Sequence, residues 1–162
     1  MNEDFTIVLA ESAEQIRQVS ELFEEYRASL DVTLCFESFK RELAELPGAY
    51  AKPSGSLLLA LCGSRPAGCV ALRRLEQGIC EMKRLYVRPA FRGQGLGKEL
   101  LDAILAEGRV CGYSKMRLDT IASVMKAAVG LYRSRGFREI APYTHDRIAG
   151  AIYLELSIED AR

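Results

Sequence analysis

The most constraining feature of the chain is a glycine-rich turn between a strand-like and a helix-like segment. Residues Ile79 to Val87 are rich in apolar and β-branched side chains, as in a strand, and Pro89 ends the run. Glycine follows at positions 93, 95 and 97, and Gly95 to Arg109 carries apolar residues at helical spacing. Such a turn gathers backbone N–H groups and the positive end of a helix, and its glycines allow close approach. The sequence therefore predicts an anion site here, suited to a pyrophosphate.

Two other glycine-rich phosphate motifs fit this turn less well. A P-loop needs Ser or Thr after Gly-Lys, whereas Gly97-Lys98 is followed by Glu99, a carboxylate unsuited to magnesium triphosphate. The dinucleotide fingerprint needs Gly-x-Gly-x-x-Gly after the first strand of a parallel sheet. This turn has Gly-x-Gly-x-Gly and follows a predicted antiparallel meander. The remaining structural alternative is a turn that only tightens a strand-to-helix corner.

The rest of the chain alternates strands and helices without repeats or linkers, which predicts a single mixed α/β domain over residues 1–162. The predicted strands are Phe5 to Ala10, Leu57 to Cys62, Gly68 to Leu75, Ile79 to Val87, Lys115 to Ile121 and Ala151 to Ile158. The predicted helices are Ile16 to Tyr26, Phe36 to Leu46, Gly95 to Arg109 and Val124 to Arg135. Tyr50 to Ser56 is predicted to be a loop. Short turns join the second, third and fourth strands into the meander.

Composition excludes several classes of function. The chain has 22 Lys and Arg against 22 Asp and Glu, so no basic field is expected to attract nucleic acid or a membrane surface. Its 5 cysteines form no Cys-x-x-Cys pair, and His145 is the 1 histidine, so neither a disulfide framework nor a metal site is expected. Neither a signal peptide nor a transmembrane run is visible, and a cytoplasmic location is the default expectation.

A family resemblance rests on three motifs. Arg92-x-x-Gly95-x-Gly97 resembles the (Arg or Gln)-x-x-Gly-x-(Gly or Ala) signature of the GNAT superfamily of N-acetyltransferases. Leu85 to Pro89 resembles the strand before that signature, and Ala128-x-x-Leu131-Tyr132-x-x-x-Gly136-Phe137 resembles the family's later helix and turn. The resemblance implies a mostly antiparallel, twisted sheet with a splayed strand pair, flanked by helices. It also implies direct transfer of acetyl from acetyl-CoA to a primary amine of a small molecule or peptide.

The resemblance also implies coenzyme-binding residues. The amides of the turn would hold the pyrophosphate, and backbone groups of Leu85 and Val87 would pair with pantetheine and polarise the thioester carbonyl. The turn positions concerned are Arg92, Gly93, Gln94, Gly95, Leu96, Gly97 and Lys98. The structural alternatives are solvent exposure for the side chains of Arg92 and Lys98, and core packing for those of Leu85 and Val87.

Glu81 and Tyr132 are the first candidates for the proton transfers. An alkylammonium must lose a proton before its nitrogen can attack. The place of Glu81 resembles that of the glutamate base in the histone-acetylating branch of the family if a two-residue difference in the turn is allowed, and His145 or a water chain is the alternative base. Tyr132 matches the tyrosine that assists departure of the coenzyme thiolate. The structural alternatives are an exposed strand glutamate and a packing tyrosine.

Other positions are open in the sequence. Met125 stands where the family often has an asparagine that contacts the coenzyme, and Ser123 is either a replacement for that contact or a helix N-cap. Tyr143, His145 and Arg147 fall in the loop that borders the acceptor site in the family, or are simply exposed.

The substrate and assembly are also open. The acceptor can be an amino acid, a polyamine, a drug-like amine or a protein amine, because loops without motifs build that pocket. A longer-acyl transferase and a non-catalytic acyl-CoA-binding or regulatory module are the alternative functions, and a homodimer is open.

Overall fold

The computed structural model describes residues 3–30, 36–123, 125–144 and 149–159, and these form a sheet flanked by helices. The strands are β1 (Thr6–Leu9), β2 (Ser56–Cys62), β3 (Arg65–Glu76), β4 (Ile79–Val87), β5 (Lys115–Ile121), β6 (Arg138–Ile140) and β7 (Ala151–Ser157). The helices are α1 (Ala13–Ser29), α2 (Phe36–Ala44), α3 (Leu96–Val110) and α4 (Lys126–Ser134). Short 3₁₀ turns cover Gly48–Tyr50 and Pro89–Phe91.

The sheet has the order β1-β2-β3-β4-β5-β7-β6, and every neighbouring pair is antiparallel except β4 and β5. The parallel pairing of β4 with β5 joins Ile79–Glu81 to Lys115–Arg117, and between described residues it goes no further. Both strands continue beyond it, so they splay apart towards the end of β4. The predicted mixed α/β fold with a splayed strand pair is therefore confirmed.

Two apolar clusters cover the two faces of the sheet. On one face, α3 buries the stripe predicted from its sequence; the buried residues are Leu96, Leu100, Leu101, Ile104 and Leu105. On the other face, α1 buries Val19, Leu22 and Phe23, and α2 adds Phe39. A capping box of Ser12 and Gln15 begins α1 and satisfies N–H groups at its start. Among the described residues no helix has the length and apolarity needed to cross a bilayer.

A β-bulge in β4 shapes the splayed region. Cys69 pairs with Tyr86 and Ala71 with Lys83, so two residues of β4, Arg84 and Leu85, face one residue of β3. Arg84 adopts a left-handed φ of 62°, which costs an L-residue about 1–2 kcal/mol. Its guanidinium donates to both carboxylate oxygens of Glu42 on α2, each at 3.0 Å, and these charge-assisted bonds offset that cost.

The bulge also resets which side chains face which helices. Because side chains alternate along a strand, one extra residue changes the alternation, and both Met82 and Leu85 face the α3 side. Lys83, opposite Ala71, faces the side of α1 and α2. The charged side chain of Lys83 and the apolar side chain of Leu85 therefore lie close together where β4 and β5 separate.

Several boundaries differ from the sequence predictions. The predicted loop from Tyr50 to Ser56 is structured at both ends, because Tyr50 is buried in the core beneath α1 and Ser56 begins β2. Strand β3 begins at Arg65 instead of Gly68, since a register shift in β2 accommodates Pro66 opposite Leu61. The short, largely exposed β6 follows α4 directly and has too few residues for a periodic signal.

Candidate functional site

The glycine-rich turn lies at the N-terminus of α3. Gly93 and Gly95 have φ of 79° and 84°, and Gly95 is the residue that caps the helix. A Cβ atom added at either glycine would meet nothing within 4 Å, so packing does not require glycine there. The left-handed backbone does require it. The first N–H groups of α3 have no partner within the helix, which is what an anion site at a helix N-terminus needs.

A cleft of about 440 Å³ runs from this turn along β4 to the start of α4. Most of the predicted coenzyme-binding residues line it: Leu85, Val87, Arg92, Gly93, Gly95, Leu96 and Gly97. From α4 the cleft gains Lys126, Ala127, Ala128 and Leu131, and from α1 it gains Tyr26, Ser29 and Leu30. An elongated ligand can thus lie with one end at the turn.

Two predicted coenzyme-binding side chains lie outside this cleft. Gln94 exchanges hydrogen bonds with Glu3: the Glu3 N–H donates to its Oε1 at 2.6 Å, and its Nε2 donates to Glu3 Oε2 at 3.2 Å. Lys98 is exposed on α3. Arg92 lines the cleft, and its Nε donates to the Val87 carbonyl at 2.9 Å. Arg92 thereby ties the turn to the end of β4.

A smaller cavity of about 80 Å³, which we call the splay cavity, occupies the gap between β4 and β5. Its lining includes three charged side chains, Lys83, Arg84 and Asp119. It shares four residues with the cleft: Tyr26, Leu30, Leu85 and Met125. The cleft and the cavity therefore meet beside the bulge of β4.

Tyr132 on α4 lines the smaller cavity and is only 3% exposed. Its ring packs against Phe137, with centroids 5.8 Å apart. No described residue makes a hydrogen bond with its hydroxyl. Burial raises the pKa of the phenol, and the charge of Asp119 acts in the same direction. The hydroxyl therefore keeps its proton at neutral pH and is able to donate it.

Glu81 is 1% exposed and lines neither the cleft nor the cavity. Arg73 donates to its Oε1 through Nε at 2.9 Å, and a terminal nitrogen of Arg73 lies 2.8 Å from the same oxygen. The Tyr143 hydroxyl donates to Oε2 at 2.6 Å. Burial by itself raises the pKa of Glu81, but Lys83, Tyr143 and Arg73 together hold it below the ordinary value of 4.5. A carboxylate stabilised in this way is a weaker proton acceptor, and its role as a base stays a prediction.

Sequence comparison agrees with this geometry. A profile of the acetyltransferase (GNAT) family matches residues 16–137. An uncharacterised N-acetyltransferase of Schizosaccharomyces pombe is 40% identical over 139 residues, which is 85% of each chain. The chain belongs to the GNAT acetyltransferase family. The family resemblance of the three motifs is thereby confirmed.

Solved GNAT structures share the fold over nearly the whole chain. A GNAT-family acetyltransferase of Staphylococcus aureus superposes with a TM-score of 0.81 at 18% identity, covering 96% of this chain and 100% of the other. YncA of Salmonella typhimurium, described as a candidate acetyltransferase with its cofactor acetyl-CoA, gives 0.74 at 21% identity, covering 97% and 95%. At these identities the likeness concerns the fold.

The start of α4 departs from the common GNAT pattern. Met125 is the N-cap residue, without a side-chain capping bond, and its Sδ accepts from the Thr120 hydroxyl at 3.5 Å. Ser123 lies two residues earlier and is exposed, so the prediction that it caps this helix is wrong. Met125 lines both the cleft and the cavity. An apolar thioether thus stands where many GNAT chains have an amide.

The predicted acceptor loop is only partly described. Tyr143 contacts Glu81, whereas His145 and Arg147 lie outside the described residues. Sequence reasoning did not find Lys83 or Asp119, although their alternation with Glu81 and Arg117 on two strands was a usable signal. In the described ranges no three His, Cys, Asp or Glu side chains cluster as metal ligands would.

The Tyr143–Glu81 bond predicts a pH-dependent stability. Above pH 4.5 the ionised Glu81 stabilises the fold because its folded pKa is lowered, and this contribution is lost as pH falls through the folded pKa. Tyr143→Phe removes one donor and raises that pKa. We expect the free energy of unfolding in urea to fall by about 1–3 kcal/mol at pH 7, with the difference from wild type shrinking below pH 4.5.

Tyr113→Phe is the matched control for this change. The Tyr113 hydroxyl donates to the Ser54 carbonyl at 2.6 Å, and a carbonyl does not titrate. Its loss should therefore cost the same at each pH. A Tyr143→Phe cost that is equally independent of pH would contradict the lowered pKa of Glu81.

Proposed function

We propose that this chain, as one domain over residues 1–162, transfers acetyl from acetyl-CoA directly to a primary amine of a small molecule or peptide. The observation that carries the proposal is the junction of the cleft with the splay cavity at Tyr26, Leu30, Leu85 and Met125. An elongated coenzyme in the cleft would end at that junction. An amine in the cavity would meet its thioester there.

Coenzyme binding would use backbone groups more than side chains. The pyrophosphate would lie against the amides of Gly93 to Lys98, where the exposed turn and the helix end favour an anion. Pantetheine would follow the open edge of β4, which has no strand partner beyond Glu81 on that side. An N–H group of Leu85 or Val87 would donate to the thioester oxygen and stabilise the oxyanion of the tetrahedral intermediate.

The reaction then needs two proton movements. The amine nitrogen attacks the thioester carbon, an N–C bond forms, and the C–S bond breaks. Tyr132 would donate its phenolic proton to the departing sulfur, which its place in the cavity wall supports. Its raised pKa keeps the phenol protonated until the thiolate forms, although it makes the phenol a weaker acid. The proton lost by the amine would pass to a carboxylate through water. Glu81 is the candidate from the family pattern, and its contacts make it a weak one.

Gly95→Val tests the coenzyme site. The branched side chain would stand on the open side of the turn and obstruct approach of the pyrophosphate, so calorimetry should give at least about tenfold weaker acetyl-CoA binding. Gly112→Val is the matched control, because Gly112 has φ of 90° and equally open surroundings at the other end of α3. Both variants pay the left-handed backbone cost, so equal acetyl-CoA affinities would rule out this turn as the anion site.

Tyr132→Phe tests the proton donor. The ring packing is kept, so the fold and acetyl-CoA affinity should remain, while kcat falls by about 10²-fold. Release of free thiol from acetyl-CoA measures the rate, with a good acceptor and with chemistry rate-limiting. Tyr113→Phe removes a hydroxyl that donates to the Ser54 carbonyl, and Tyr113 lines neither the cleft nor the cavity, so this variant should keep wild-type kcat. A wild-type kcat in Tyr132→Phe as well would show that the hydroxyl only packs.

A further inference from the structure

Lys83 and Asp119 form an unusual charge pair in the wall of the splay cavity. The Lys83 Nζ lies 3.9 Å from Asp119 Oδ1, beyond hydrogen-bond distance, and the side chains are only 20% and 28% exposed. Neither side chain forms a hydrogen bond with any described residue. Mostly buried charges are costly unless hydrogen bonds compensate their lost hydration. The Lys83 ammonium and the Asp119 carboxylate, which both line the cavity, can therefore form hydrogen bonds with a ligand there.

The other charged side chains described at or near the cavity already bind protein groups. Arg84 lines the cavity, but both of its bonds at 3.0 Å go to Glu42. Glu81 is enclosed by its contacts with Arg73 and Tyr143. Among the described residues, Lys83 and Asp119 are thus the cation and the anion of the cavity wall that remain available to a ligand.

A ligand that satisfies both groups must present opposite charges close together. An ammonium and a carboxylate joined through one carbon atom do so. The dipole of such a ligand lies antiparallel to that of the Lys83–Asp119 pair, so each charge meets its opposite. A diamine would set its second cation against Lys83 and Arg84, and a simple monoamine would leave Lys83 without a partner. The cavity is small, about 80 Å³, and suits the reacting end of the acceptor.

We propose that the acceptor is a free α-amino acid, whose ammonium binds Asp119 and whose carboxylate binds Lys83. This inference rests on the proposed acetyl transfer and adds its substrate class. The Asp119 contact would bring the nitrogen towards Leu85 and Met125, where the cavity meets the cleft. The ammonium loses one proton to water there, and the free nitrogen forms the N–C bond to the acetyl carbon. The C–S bond then breaks, the nitrogen loses its second proton, and coenzyme A leaves as its thiol.

The test compares each of the twenty L-amino acids with its α-carboxamide, with thiol release from acetyl-CoA as the measurement. The carboxamide lacks the charge that Lys83 recognises, and its amine is less basic, so basicity alone would favour the carboxamide. We expect the free acids that react to exceed their amides roughly 10- to 100-fold in kcat/KM, the range of one charge-assisted hydrogen bond. Lys83→Met should abolish that ratio.

Lys115→Met is the matched control. Lys115 lies on β5 outside both cavities, with its Nζ 3.7 Å from Glu155, and its loss should leave the acid-to-amide ratio unchanged. Equal rates for acids and amides in the wild type, or transfer to polyamines or peptides alone, would overturn the amino-acid inference and leave acetyl transfer intact.

A second measurement separates this inference from the proposed transfer. If acetyl-CoA binds but no amine releases thiol, the transfer itself fails. Calorimetric titration of the CoA-bound protein with the same amino acids and amides then decides the binding site. Binding of acids that is lost in Lys83→Met supports the site, and binding that is absent or unchanged overturns it.

Discussion

Hydrogen bonding between β4 and β5 ends at Glu81 and Arg117, and the rest of the site depends on that break. Beyond it, the facing backbone groups of both strands have no strand partner among the described residues, which leaves them to water or a ligand. The break does not loosen the sheet. β5 pairs with β7 from Lys115 to Ile121, and β4 remains paired with β3 to Val87. The gap therefore has two firmly held walls.

Two ion pairs fix the geometry of β4 beside the gap. Glu81 stands at the last pair of the parallel strands and binds Arg73 of β3 and Tyr143 of the segment before β7. Arg84, in the bulge, is held by Glu42 of α2. Removing one partner of such a pair leaves a buried charge without compensation, which is strongly destabilising. The ion pairs of β4 with Arg73 and Glu42 hold the backbone of the site in place. In our proposal, Lys83 and Asp119 bind the ligand.

The sequence was most informative where local signals coincide. The bounds of β4 and β5 were predicted correctly, because each is an apolar or β-branched run ended by a turn or a proline. The glycine turn and its two neighbouring motifs indicated the family, and seven of the nine predicted coenzyme-binding residues line the cleft. The side-chain partners were not predictable in the same way, since Tyr143 and Glu81 are separated by 62 positions. The proximity of Lys83 to Asp119 depends on the register of the parallel pair, in which Glu81 lies opposite Arg117, and periodicity alone does not specify that register.

A crystal structure of the protein with acetyl-CoA is the most direct measurement of the central claim, that the cleft and the splay cavity form one reaction path. We expect the pyrophosphate at the amides of Gly93 to Lys98 and the acetyl group at the junction beside Leu85 and Met125. We also expect the Tyr132 hydroxyl next to the sulfur. An acetyl group outside the gap between β4 and β5, or a sulfur separated from Tyr132 by other side chains, would contradict this reaction path.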